Sequence, residues 1–204
     1  MSGLRERQKT DRERRIIEAA TRLFRETGFA GSRIEAIAAD AGIAVGTVYN
    51  YFESKGDILV AIVAVEVGEV LNAGNRLLEA PPANVETAIE ALIAIYLDHS
   101  LVYLDKDMWR NAMALTTQFP DTRFAAKYKE LDELLTDQVC ALIARLQQDG
   151  QVRPGIDTRA VGELLFYSTN MMFTMFVKST TMELATLKSA IARQIRALTV
   201  AIRA

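Results

Sequence analysis

The chain has 204 residues, half of them hydrophobic and a quarter charged, with a formal net charge of −2, the balance of a soluble globular protein. Its longest uninterrupted apolar run, residues 58–65, falls far short of the roughly 20 residues of a membrane span, and the charged N-terminus lacks the form of a signal peptide. Cys140 is the only cysteine, which excludes an intramolecular disulfide framework and fits a reducing cytoplasm.

The charge is unevenly spread. Residues 1–33 hold nine Lys/Arg against five Asp/Glu, whereas the remainder holds 15 against 21. Such asymmetry points to a polyanion at one end, and equally to a solvated helix face of mixed charge. The pattern is helical throughout, without strand alternation or internal repeats. Pro81, Pro82, Pro120 and Pro154 each fall where a helical pattern stops.

In chain order, a first helix is predicted to open at a Thr10–Glu13 capping box and to end at Gly28, with Ile16, Ala20, Leu23, Phe24 and Thr27 in one stripe. A second capping box, Ser32 to Glu35, opens a short helix carrying Ile34, Ile37, Ala38 and Ala41. Gly42 then forces a turn into a third short helix over residues 45–52. Ser54 and Asp57 cap a long fourth helix over 55–79. Asn84 caps a fifth reaching residue 104, and further helices cover 106–119 and 122–148. Beyond a turn-rich connector at 149–155, Asp157 caps a helix to residue 178, and Thr180 and Glu183 cap the last. The total is nine helices, three of them in a compact N-terminal unit.

A helix-turn-helix needs two short helices, a tight turn, small residues where they cross, and polar side chains on the outer face of the second. Residues 32–52 supply all of these. Ala38 and Ala39 let the helices approach, Ile34, Ile37, Ile43, Val48 and Phe52 face Leu23 and Phe24, and Thr47, Tyr49, Asn50 and Tyr51 project outward. Segment 44–52 contains no charged residue. Base reading there falls to Thr47 and Asn50 hydrogen bonds and to contact of Ala44 or Val45 with thymine methyl groups. Gly46 lets the backbone approach the groove. Tyr49 and Tyr51 offer hydroxyls to phosphates, and Lys55 adds charge to a positive helix N-terminus. Ser32 and Arg33 sit at another helix start, itself a phosphate site. The basic arm at 4–15 (Arg5, Arg7, Lys9, Arg12, Arg14, Arg15) either follows DNA or is a solvated tail.

Phe24-Arg25-Glu26-Thr27-Gly28-Phe29, Ile37-Ala38-Ala39-Asp40-Ala41-Gly42-Ile43 and Gly46-Thr47-Val48-Tyr49-Asn50-Tyr51-Phe52-Glu53-Ser54-Lys55 together resemble the DNA-binding domain of the tetracycline-repressor (TetR) family. The likeness spans about residues 12–62 with its spacing intact. It implies an all-α protein with a helix-turn-helix DNA-binding domain over 1–54 and a helical effector-binding and dimerisation domain over 55–204. It also implies phosphate contacts at Tyr49, Tyr51 and Lys55, a four-helix dimer interface from the last two helices, and repression rather than activation. Two positions depart from the family. Ala44 stands where a capping Ser is frequent, and Glu35 stands where some members carry a base-reading cation. Glu35 is read here as the capping partner of Ser32, which leaves Arg33 as a phosphate contact.

One such motif covers a few base pairs, so pairing of two copies on a double-stranded DNA operator is expected. The dimer seam is assigned to Phe166 and Phe173 and to the stripe Leu184, Leu187, Ile191, Ile195 and Leu198, the alternative being an intramolecular core. Tyr96, Trp109, Met113, Phe119, Tyr167 and Met171 are candidates for an adaptable pocket, with His99 and Asn170 as its polar groups. The same residues at helical spacing also suit a plain core. No Lys/Arg cluster falls among them, so the expected effector is small and largely apolar. No metal or cofactor site is expected. His99, the only histidine, and Cys140 form no nucleophile–base pair, which argues against catalysis. The competing reading is a DNA-binding protein of the same fold governed by a protein partner, or acting architecturally, without a small-molecule effector.

Overall fold

The computed structural model describes residues 2–204, with side chains from Glu6 onward. Among them run nine helices: α1 (Ser2–Gly31), α2 (Ile34–Asp40), α3 (Val45–Tyr49), α4 (Lys55–Glu79), α5 (Val85–His99), α6 (Lys106–Gln118), α7 (Arg123–Gln148), α8 (Thr158–Lys178) and α9 (Leu184–Ile202). None is long and apolar enough to cross a membrane.

The helix ends show which local signals decide a boundary. Asn84 and Asp157 cap α5 and α8 as predicted, each accepting from the backbone N–H three residues on. Ser54 accepts from the Asp57 N–H at the start of α4. Thr10 does not start α1. It lies inside the helix, its hydroxyl bonded to the Glu6 carbonyl, because Arg, Glu, Gln and Lys upstream are good helix formers and let the helix continue. Helical geometry is instead broken at Gly28, where φ is +76°, a value favoured only by glycine.

The fifth helix stops at His99 rather than residue 104. Asp105, which has no capping pattern with its sequence neighbours, caps α6 by accepting from the Met108 N–H at 2.8 Å. Before α9 it is Ser179, not Thr180, whose hydroxyl accepts from Thr181 and Met182, and Glu183 makes no side-chain cap.

The chain forms two compact units. One comprises the residues up to Val65 together with Tyr103–Tyr128; the other comprises Glu66–Val102 and Lys129–Ala204. The division therefore differs from the linear boundary at 54/55 and falls within α4 and α7. In the first unit α1 packs on both α2 and α6, and Ile16, Phe24, Ile37 and Val48 are fully or nearly fully buried.

In the second unit α9 packs on α5 and α8. A buried amide ties three of its helices together. Gln138 of α7 accepts from the Tyr96 hydroxyl of α5 at 2.7 Å and donates to the Leu71 carbonyl and Asn75 Oδ1 of α4 at 2.8 and 2.6 Å. With those three bonds the amide loses little on burial. α7 and α8 meet closely at Gly162, where a Cβ would lie 2.5 Å from Cys140 Sγ and 2.7 Å from its Cα. Gly162→Ala is expected to cost about 1–3 kcal/mol through overpacking, seen as a fall of several degrees in melting temperature. Cys140→Ala in the same chain should return only part of that loss, since the main chain at residue 140 would still crowd the added methyl group.

Candidate nucleic-acid interface

The interface is built from the short helices that follow the break at Gly28. A helix leaves its last carbonyls without intrahelical partners, and here side chains from elsewhere in the first unit supply them. Ser32, 5% exposed, has its hydroxyl within 2.8 Å of the Gly28 carbonyl, 3.2 Å of the Leu23 carbonyl and 2.8 Å of the Thr27 hydroxyl. The predicted Ser32–Glu35 capping box is therefore absent. Ser32 faces back into α1, and the extended residue at the start of α2 is Arg33, with no side-chain cap.

The turn out of α2 is closed in the same way. Gly42 adopts φ +63°, its N–H donates to Ala39 and that of Ile43 to Ala38. Arg15 of α1 donates to the Ala41 carbonyl at 2.5 Å and to Gly42 at 3.3 Å. Arg22 adds an ion pair with Asp40 at 2.6 Å. Of the basic arm, Arg15 is thus directed inward and Arg14 pairs with Asp11 and Glu18. Arg7, Lys9 and Arg12 are exposed, and the Arg5 side chain lies outside the described residues.

These bonds leave one face of the motif open. Arg33, Ala44, Gly46, Tyr49 and Asn50 are exposed, Val45, Thr47 and Tyr51 are half-buried, and Val48 and Phe52 are buried beneath them. The helix itself is shorter than expected, ending at Tyr49, with Asn50 at its C-terminal boundary. Lys55 turns back onto α1. Its ammonium donates to the carbonyls of Phe29 at 2.7 Å and Ser32 at 2.8 Å, approaches Ala30 at 3.4 Å, and lies 4.8 Å from the centre of the Phe29 ring. Burial lowers its pKa.

Residues 16–62 match the model of the bacterial regulatory proteins, tetR family. The match covers the helix-turn-helix and its flanks, so this part of the chain is similar to the TetR-family DNA-binding domain. The whole chain is 27% identical over 176 residues to the fatty acid metabolism regulator protein of Bacillus subtilis, covering 84% of this chain and 86% of that one. Its structure resembles a TetR-family transcriptional regulator from Mesorhizobium loti with a TM-score of 0.70 at 21% identity, over 95% and 97% of the two chains. It also resembles the regulator FadR from Bacillus subtilis in complex with stearoyl-CoA, with a TM-score of 0.64 at 22% identity, over 89% and 96%. This chain is a DNA-binding transcriptional regulator.

The residues expected to form one effector pocket are distributed between the units of this regulator. Trp109, Met113 and Phe119 belong to the first, and Tyr96, His99, Tyr167, Asn170 and Met171 to the second. Tyr167 and Met171 do not face the core of their unit. With Leu164 and Met175 they form a solvent-facing stripe along α8, each 57–62% exposed. The expected seam residues behave oppositely: Phe166, Phe173, Leu187, Ile191 and Ile195 are buried within the single chain. Leu184 and Leu198 are half-buried on the same helix. The α9 stripe is intramolecular core because α5 and α8 both pack on α9. The signal for this was present in α8, whose apolar residues cover both of its faces.

Two polar groups of the second unit stand out. Asp132 lies on the buried stripe of α7 in register with Val139 and Ile143, both fully buried, and burial pushes its carboxyl up to about 6. The signal that could have found it is a charged residue inside an apolar stripe. His99 places Nδ1 2.8 Å from Glu66 and Nε2 2.9 Å from Glu69. Both nitrogens donate only in the imidazolium. Burial opposes that charge, but the hydrogen bonds and charges of Glu66 and Glu69 outweigh it and raise the pKa above the ordinary 6.5.

A raised folded-state pKa makes this contribution full below the unfolded value of about 6.5 and loses it as pH rises through the folded value. The melting temperature of the wild type should therefore exceed that of His99→Gln most at pH 6, with the gap shrinking toward pH 9. An equal gap at both pH values would contradict the assignment.

Proposed function

We propose that this chain is a homodimeric, cytoplasmic, non-catalytic repressor that leaves its operator when a largely apolar effector binds. The observation that carries the dimer is the stripe Leu164, Tyr167, Met171 and Met175, an apolar face of α8 turned to solvent on the side opposite its buried residues. Val200 of α9 is likewise an exposed apolar residue. The uncharged outer face at 44–52 supports the same reading, because one copy reads few bases and the pairing of two multiplies their contacts. Thr47 and Asn50 are assigned to base edges, and Tyr49, Tyr51 and Arg33 to phosphates.

The effector class follows the relatives. The matched Bacillus subtilis protein is a fatty acid metabolism regulator, and the similar FadR structure holds stearoyl-CoA, so ligands whose apolar part is a long acyl chain, acyl-CoA thioesters among them, are the first compounds to test. Such a ligand acts by preferring one arrangement of the helices of the second unit. Because α4 continues from that unit to Lys55, a change in its course reaches the DNA-binding residues. The non-catalytic assignment rests on His99, whose nitrogens are committed to Glu66 and Glu69, and on the buried Cys140, whose thiol donates to the Arg159 carbonyl.

Selection of genomic fragments on the protein should return a duplex with two half-sites whose centres lie about 34–36 Å, or a multiple of that, apart, and stearoyl-CoA should release it. Asn50→Ala should relax discrimination at one base pair of each half-site by about 10-fold, within the 1–3 kcal/mol of a good base contact. Met171→Glu should sediment as a monomer and lose operator binding. A monomeric wild type with full operator affinity would refute the dimer. Operator binding unmoved by a range of acyl thioesters would remove that effector class.

A further inference from the structure

Lys55 opens α4, yet its ammonium is engaged with the last turn of α1 and with Ser32 just beyond it. Its three N–H groups meet three main-chain oxygens, those of Phe29, Ser32 and Ala30, which fills the donor capacity of the group. The ring of Phe29 lies 4.8 Å below it, and that ring is itself held edge-on to Phe24 at 5.2 Å. The corner is also held independently of Lys55, since the Ser32 hydroxyl lies within hydrogen-bonding distance of the Gly28 and Leu23 carbonyls and the Thr27 hydroxyl. To reach a phosphate instead, the ammonium would leave the part-buried carbonyls of Phe29 and Ser32 without their donor, an arrangement polar groups resist.

The place of this contact in the chain gives it a consequence. Phe29 and Lys55 are 26 residues apart, and everything between them is the helix-turn-helix: α2, its glycine turn, α3 and the segment into α4. The Lys55–Phe29 bond therefore closes a ring around the whole reading unit and holds its entrance against its exit. Arg15 on the Ala41 and Gly42 carbonyls braces the same ring at its middle.

We propose that Lys55 is a positioning residue that fixes how α3 is presented to DNA, and not a phosphate contact. The proposal rests on the DNA-binding reading of the motif. Complementarity to one operator needs a single presentation of α3, whereas binding to arbitrary DNA rests on charge close to phosphates. Loss of the pin therefore lowers sequence preference and leaves the electrostatic footprint intact.

The test uses the full-length protein, the duplex recovered by genomic selection and a random-sequence duplex of equal length, titrated over a range of salt well below the melting temperature of every variant. Lys55→Met, which keeps the aliphatic stem, should weaken operator binding about 10-fold and change binding to the random duplex less than twofold. The slope of log Kd against log salt should stay unchanged. Lys55→Arg, which keeps charged donors for the carbonyls, should restore operator binding to within about threefold.

A slope reduced by about 0.9 for each protomer, with equal losses on both duplexes, identifies a phosphate contact and overturns the proposal. A lower melting temperature with both affinities unchanged shows a purely structural role and overturns it as well. Failure of the wild type to prefer the selected duplex would count against the DNA-reading assignment itself, a result separate from either of these.

Discussion

Everything at the DNA-binding end of this protein depends on supplying hydrogen-bond donors to helix C-termini. α2 and α3 have seven and five residues, so most of their carbonyls lie within a turn of an end and lack intrahelical partners. Helices this short are unstable in isolation, and tertiary contacts must hold them. Here the donors are largely cationic or buried: Ser32 and Lys55 at the close of α1, and Arg15 at the close of α2. Bonds to charged donors contribute about 1.5–3 kcal/mol each, a large share of the stability of a small unit. The same arrangement explains the face left open. With Arg15 and Lys55 turned inward, the surface over residues 44–52 is formed by uncharged residues, two of them tyrosines.

The second unit solves a different problem, that of polar groups inside an apolar bundle. Gln138 is satisfied by partners on α4 and α5, and His99 joins the end of α5 to two carboxylates one turn apart on α4. Both arrangements act on α4, the helix that continues to Lys55. Partly buried polar contacts of this kind specify one helix register more sharply than apolar packing, because a shifted register leaves a donor or acceptor without its partner. Asp132 stands apart from them. Its carboxyl is desolvated, and protonation is correspondingly easier than for an exposed Asp.

The apolar surface of α8 and α9 shows how one helical pattern serves two purposes. α9 has a single apolar stripe, and its own chain covers that stripe. α8 is apolar on both faces, so one face enters the core while Leu164, Tyr167, Met171 and Met175 remain outside. α9 buries its one apolar stripe within the chain, whereas α8, apolar on both faces, keeps one of them at the surface.

The helix order, the break at Gly28, the caps at Asn84 and Asp157 and the helix-turn-helix itself were determined by the sequence alone, because each depends on periodicity or on residues within one turn of each other. The family resemblance was equally local, carried by the spacing of residues 24–55. What only the tertiary structure decided are the interactions that span the chain. Ser32 has the local pattern of an α2 cap, yet the carbonyls of Leu23 and Gly28 compete for its hydroxyl and take it. Lys55 and Arg15 look like free cations in sequence, but carbonyls 26 residues away claim them. The stripe of α9 reads as a seam until α5 and α8 are seen to cover it. A side chain's periodicity shows that it must be buried or satisfied, while the partner that does so is chosen by how distant helices meet.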